Sequence, residues 1–227
     1  SASQLWQQVE IIRTAYGVPH IRAQNLRAAG YALGWLQSED YGTVAAMRVL
    51  EASGRRASVE GYERIESDFV IHLQKERFTK NYRLLSKDVR DVYEGFAAGI
   101  NRFVELHPDK FPAGMPSDFT GQDVAATELS GPPARKIRAF LERLNPQQTP
   151  ERPGPPETDE GEGPDDGSNA WAFAPSRTKS GKAILLRNPH LAWSAGYYEA
   201  HLTVPGVIDF YGDFRIGGPF GVIGGFN

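Results

Sequence analysis

Gly167-Ser168-Asn169-Ala170-Trp171 places a hydroxyl nucleophile directly behind a glycine, which has no side chain to hinder attack on its carbonyl. If the Gly167–Ser168 bond is cut, Ser168 becomes a chain terminus and acquires its own base. A free α-amino group has an ordinary pKa of about 7.7 to 8.0, near enough to neutrality to take the proton from the Oγ of the same residue, directly or through a water. An internal serine has only an amide nitrogen, which cannot do this. The same Oγ can first attack the Gly167 carbonyl, shifting that peptide to an ester that water opens. This reading demands a precursor matured at one bond. The triplet by itself reads as turn residues and Ser168 as structural, so its meaning depends on where the surrounding elements put it.

Asn169, Trp171 and Phe173 alternate with Ala170, Ala172 and Ala174, and an apolar run, Ala183-Ile184-Leu185-Leu186, follows the turn-like Arg177-Thr178-Lys179-Ser180-Gly181. Two such runs around a turn predict a β-hairpin. A turn centred between Thr178 and Lys179 pairs residues whose numbers sum to about 357, which sets Ser168 opposite Pro189 and beside His190. An imidazole at that position can orient or polarise a terminal serine. Without Ser168, His190 would read as a satisfied sheet-edge histidine.

Further elements are needed to hold this hairpin. Val9 and Ile11 alternate with polar neighbours, and Thr14-Ala15-Tyr16-Gly17 turns into Val18-Pro19-His20-Ile21, so the chain opens on a second hairpin with Pro19 at a strand start or edge. Residues 26–52 predict one long or two broken helices with Tyr31, Trp35, Val44, Met47 and Leu50 as core contacts, weakened by Gly30, Gly34 and Gly42. Over residues 86–107, Ser86 can cap a helix whose Val89, Val92, Tyr93, Phe96, Ile100 and Phe103 form one stripe, and Pro108 stops it. A further helix is expected over 133–144. Strands are expected at Tyr198–Val204 and Ile208–Tyr211, followed by a glycine-rich end, Gly217–Phe226.

Between the helices and the nucleophile, composition changes abruptly. Residues 145–167 carry Pro, Gly, Asp and Glu with no aliphatic or aromatic side chain, too little apolar surface to offset the entropy of ordering. Three regions follow: a mostly helical 1–144, an acidic spacer 145–167, and a strand-rich 168–227. Seven acids and one base lie in 151–167, so the rest of the chain is mildly basic although the whole carries a formal charge of -3. That balance gives no reason to expect nucleic acid or a membrane as partner. The absence of cysteine removes thiolate catalysis, disulfides and zinc–thiolate sites together. No apolar run approaches the roughly 20 residues of a membrane span, and Ser1-Ala2-Ser3-Gln4 lacks the features of an export signal.

At these residues the chain resembles the penicillin acylase family of N-terminal-nucleophile hydrolases, including its acyl-homoserine-lactone, cephalosporin and lipopeptide acylase branches. Arg13-Thr14-Ala15-Tyr16-Gly17-Val18-Pro19-His20-Ile21 is similar to the start of the family's α subunit, Gly34-Trp35-Leu36-Gln37-Ser38-Glu39-Asp40 to its first helix, and Glu94-Gly95-Phe96-Ala97-Ala98-Gly99-Ile100-Asn101 to a later one. Gly167 to Trp171 resembles the cleavage site and β-subunit start, and Asn188-Pro189-His190-Leu191-Ala192-Trp193 the segment packed against the nucleophile, a similarity that Glu199-Ala200-His201-Leu202 continues. The resemblance implies an α+β chain, a helical α region with the start of an αββα sandwich, the spacer being excised. It makes Ser168 nucleophile and, through its freed amine, base; His190 its orienting group; Asn169 and Trp171 supports of the site. It implies an N-acyl amide as substrate, the remainder of the β subunit as partner and supplier of the oxyanion hole, no required cofactor, a calcium site whose ligands cannot be placed, and a periplasmic or secreted enzyme. Leu191 and Trp193, by their nearness to His190, are the candidates for acyl contact.

Other readings compete at each point. An uncut Gly167–Ser168 bond would leave a catalytically silent precursor or binding fragment, and a conventional serine hydrolase would need a G-x-S-x-G elbow, which does not occur. The glycines at 217–225 lack the spacing and the Lys-Ser/Thr of a phosphate loop, and the spacer carboxylates lack the spacing of a calcium loop. His20 and His201 read as structural residues with no identifiable partner.

Overall fold

The computed structural model describes residues 2–128, 168–190, 196–220 and 224–226. Along the chain the elements are β1 (Val9–Arg13), β2 (Pro19–Ala23), α1 (Leu26–Tyr41), α2 (Thr43–Ala52), α3 (Ala57–Glu60), α4 (Ile65–Tyr82), α5 (Lys87–Leu106) and α6 (Gly121–Ala126). They continue with β3 (Ser168–Phe173), β4 (Ile184–Pro189), β5 (Tyr197–Val204), β6 (Ile208–Arg215) and β7 (Gly225–Phe226). The chain is α+β. It divides into two compact units, Ser1–Gly131 with Tyr197–Asn227, and Pro132–Gly196.

In the first unit, α5 starts where Ser86 Oγ accepts the Val89 amide and ends before Pro108, which cannot continue a helix. Its stripe of Val92, Tyr93, Phe96, Ile100 and Phe103 is buried as the spacing requires; each such side chain contributes about 1.5 to 3 kcal/mol by leaving water. The partner is α1, capped by Asn25 Oδ1 on the Ala28 amide, and the two helices cross unusually closely. A Cβ at Gly30 or Gly34 would run into the Val92 or Phe96 carbonyl oxygen, and one at Gly95 or Gly99 into that of Arg27 or Tyr31. The glycines that weaken α1 as an isolated helix are therefore the contact surface of the pair. The chain breaks at Gly42, φ +50°, which splits residues 26–52 into two helices. Val44, expected in the core, is 58% exposed; α2 turns Ala45, Ala46, Val49 and Leu50 inward instead.

The five-stranded sheet of this unit has the order β1-β2-β5-β6-β7, with β2 and β5 parallel and the other neighbours antiparallel. Pro19 is the first residue of β2, where its missing N–H costs least. Ile21, Ala200, Leu202, Val204 and Phe214 fill the buried face. Gln37, fully buried on α1, donates to the Arg215 and Gly218 carbonyls, both at 3.2 Å, and accepts the Gly217 amide at 2.8 Å. One side chain thus satisfies the turn that follows β6. Asp40 accepts from the Tyr198 hydroxyl at 2.7 Å and from Arg13 at 2.9 Å. Burial, then the Asp40 carboxylate, pushes the Tyr198 phenol well above its usual value.

α4 has no counterpart in the sequence reading. Its Phe69, Val70 and Leu73 lie exposed rather than in a stripe, so periodicity carries no signal there. It is held by Tyr82 and Phe78, which join the core at its C-terminal end, and by polar groups: Asp68 accepts the Arg56 and Ala57 amides at 3.1 and 2.7 Å, and Lys75 pairs with Asp123. Asp123 also closes the capping box of α6 with Thr120. The helix expected over 133–144 and the spacer expected over 145–167 fall outside the described residues.

The second unit is described through one antiparallel hairpin, β3 with β4, in the register predicted: Ser168 opposite Pro189, Asn169 opposite Asn188, through to Phe173 opposite Ile184. Its connection begins with a 3-10 turn, Pro175–Arg177, and is latched by Thr178, whose Oγ1 lies 3.1 Å from the Pro175 carbonyl and 2.7 Å from that of Lys182.

Candidate active site

The pleat of the hairpin sorts its side chains. Successive residues of a strand point to opposite faces and directly paired residues share one. Ser168, Ala170 and Ala172 therefore share a face with Pro189, Arg187 and Leu185, and Asn169, Trp171 and Phe173 share the other with Asn188, Leu186 and Ile184. The neighbours of Ser168 on its own strand and face are alanines, which leave the hydroxyl uncrowded. Ser168, Asn169 and His190 are exposed, and Trp171 retains 44% of its accessible surface.

His190 follows the last residue of β4 and lies diagonally from Asn169. Asn169 Nδ2 is 2.9 Å from His190 Nε2, a contact of the kind expected between diagonal neighbours on one face. Among the described residues no direct hydrogen bond joins Ser168 to His190. The site residues named from sequence thus meet as a chain-adjacent pair, Ser168 and Asn169, with His190 bound to the second. Gly167, Leu191 and Trp193 lie outside the described residues. Phe220 is half-buried in the first unit with its ring edge-on to Tyr93 at 5.1 Å; burial, then Glu128, pushes the Tyr93 phenol up to about 12.

The sequence reading left His20 and His201 without a partner, yet they are partners of each other. The parallel register sets His20 beside His201, with the two Nδ1 atoms 2.9 Å apart. His201 Nε2 meets Asp209 at 2.7 Å, and this contact, with that of Thr203, holds the Asp209 carboxyl below its usual range. No local pattern signals a pairing of residues 181 apart. No cluster of three or more His, Asp or Glu side chains placed to hold a metal ion occurs among the described residues, and no described helix is long and apolar enough to cross a membrane.

Comparison with known proteins gives the family. The family model for penicillin amidase matches residues 8–227. The chain belongs to the penicillin amidase family. Among its curated relatives, the acyl-homoserine lactone acylase PvdQ of Pseudomonas fluorescens (strain Pf0-1) is 30% identical over 234 residues, which cover 89% of this chain and 30% of the relative. Aculeacin-A acylase of Actinoplanes utahensis is 28% identical over 249 residues, 94% of this chain and 32% of the relative. The chain thus spans about a third of the length of these penicillin amidase relatives. A solved structure, the thermostable penicillin G acylase of Alcaligenes faecalis, aligns over 65% of this chain and 95% of its own with 21% identity and a TM-score of 0.46.

Proposed function

We propose that the protein is an amidohydrolase that removes the acyl group of an N-acylated amine through an acyl-enzyme on Ser168, once cleavage after Gly167 has freed the Ser168 amine. The observation that carries this reading is the position of Ser168 at the first residue of β3, on a face otherwise lined from its own strand by alanine, in a chain of the penicillin amidase family. The amine takes the Oγ proton, Oγ adds to the amide carbonyl, the proton passes to the departing nitrogen, and water then releases the acid by the same route. Nothing in this sequence of steps calls on a metal or an organic cofactor, and a calcium ion, if bound, would serve the fold.

Acyl-homoserine lactones and other fatty-acyl amides are the preferred substrate class over β-lactams; the names of the PvdQ and aculeacin-A acylase relatives support this preference. The remainder of the β region is the partner that supplies the oxyanion donors, and this segment alone is inactive, since one missing donor costs about 10²- to 10³-fold. Maturation yields an αβ heterodimer that works in the periplasm or medium. Leu191 and Trp193 contact the acyl chain.

Intact mass and N-terminal sequencing of the full-length gene product, beside Ser168→Ala, tests the proposal. The expected result is a new terminus reading Ser-Asn-Ala-Trp in the parent and none in the variant. A single uncut chain in both would support the rival reading, a silent precursor.

A further inference from the structure

We infer that Asn169 is a positioning residue that sets the tautomer of His190 and so makes that ring a hydrogen-bond donor, not a base, in the reaction proposed above, on which this inference rests. Asn169 Nδ2 lies 2.9 Å from His190 Nε2. A carboxamide nitrogen only donates, so Nε2 must accept, and a neutral imidazole that accepts at Nε2 carries its hydrogen on Nδ1.

The register makes this contact a consequence of the pleat. With Ser168 paired to Pro189 and Asn169 to Asn188, the residue after Pro189 falls on the face of Asn169, and Ser168 Oγ belongs to the other face. The lone pair with which His190 could take a proton from Ser168 is already occupied by the Asn169 amide. The base must then be a different group, and a cut Ser168 supplies one in its own α-amine. The Nδ1–H that remains donates to a water between the ring and the Oγ–amine pair, and through that water it holds the hydroxyl in line. One proton moves from Oγ to the α-amine and on to the departing nitrogen as the Oγ–C bond forms and the C–N bond breaks. His190 stays neutral throughout, and Asn169 exchanges no proton.

The test uses the full-length gene product labelled with ¹⁵N-histidine, in which long-range ¹H–¹⁵N correlation at neutral pH reports which ring nitrogen carries the hydrogen. The chain described here has five histidines; the His190 signals are those absent from His190→Gln. The parent should carry the hydrogen on Nδ1, and Asn169→Asp, which replaces the donor with an acceptor, should move it to Nε2. In the matured enzyme Asn169→Asp should lower kcat on a long-chain N-acyl-homoserine lactone roughly 3- to 10-fold, the worth of one hydrogen bond, with KM unchanged. A parent ring protonated on Nε2, a tautomer indifferent to Asn169→Asp, or a rise in KM at constant kcat overturns the inference. N-terminal sequencing of the same samples separates the two layers. A chain never cut at Gly167 overturns the acylase reading and the role given to the ring, whereas a wrong tautomer in a correctly cut chain overturns this inference alone.

Discussion

The two units solve opposite problems. In the helical unit each important group is over-determined: Phe96 and Ile100 are wholly buried, Gln37 makes three hydrogen bonds, and four glycines set the crossing of α1 with α5. In the hairpin unit the groups with chemistry stand exposed, placed by strand register and one amide–imidazole contact. Stability and reactivity are thus carried by different residues. A hydroxyl with the attacking role proposed for Ser168 needs open space, whereas a helix crossing needs none.

The largest expected effect separates the units most sharply. Ser168→Ala should abolish the new terminus and lower amide hydrolysis by 10³-fold or more, yet leave the unfolding free energy of the chain before cleavage within about 0.5 kcal/mol of the parent's, because the side chain is exposed. A large loss of stability in that variant would break the distinction. Gly99→Val should do the reverse. Its Cβ meets the Tyr31 carbonyl and the Trp35 amide, backbone atoms that cannot step aside, so a cost of about 3 kcal/mol or more is expected from denaturant unfolding.

Asp123→Ala comes next, at about 2 to 4 kcal/mol, since it removes a capping box and strands Lys75 in one step. The same residue gives a pH signature. Burial alone would raise its pKa, but Lys75 and the Thr120 donors outweigh that and hold the carboxyl below its usual range. A depressed carboxyl stabilises the fold fully above its unfolded value near 4 and loses that contribution as pH falls through the lower folded value. Acid titration of stability should therefore be shallower in Asp123→Ala than in the parent. The smallest effect belongs to the latch of the hairpin: Thr178→Val should cost about 1 kcal/mol, visible as faster amide exchange in β3 and β4 with no change in α5.

What the sequence revealed follows from how local the signal was. The hairpin register was readable to the residue because alternation and one turn determine it within 22 residues, Ser168 to Pro189. The α5 stripe was readable because a cap, a periodic face and a proline coincide. α4 was not, because its apolar packing is confined to Phe78 and Tyr82 at one end and polar contacts at Asp68 and Lys75 hold the rest, and Val44 was misplaced because the break at Gly42 re-phases the following helix. The glycines of α1 and α5 read as weaknesses because their purpose lies on another helix. At the candidate site the residue types were legible, but the sharing of a face by Asn169 and His190, and not by Ser168, emerges only when register and pleat are taken together.

The sheet of the helical unit draws β1 and β2 from before residue 168 and β5, β6 and β7 from after it, joined along the parallel β2–β5 seam. Before cleavage that seam closes within one molecule, and its folding is first order and indifferent to dilution. If the chain is cut after Gly167 as proposed, the same hydrogen bonds join two separate polypeptides, and regaining them from denaturant becomes a second-order encounter whose yield depends on concentration. A protein matured in that way would carry a ratchet: assembled once as a single chain, it would not be restored by dilute refolding once unfolded.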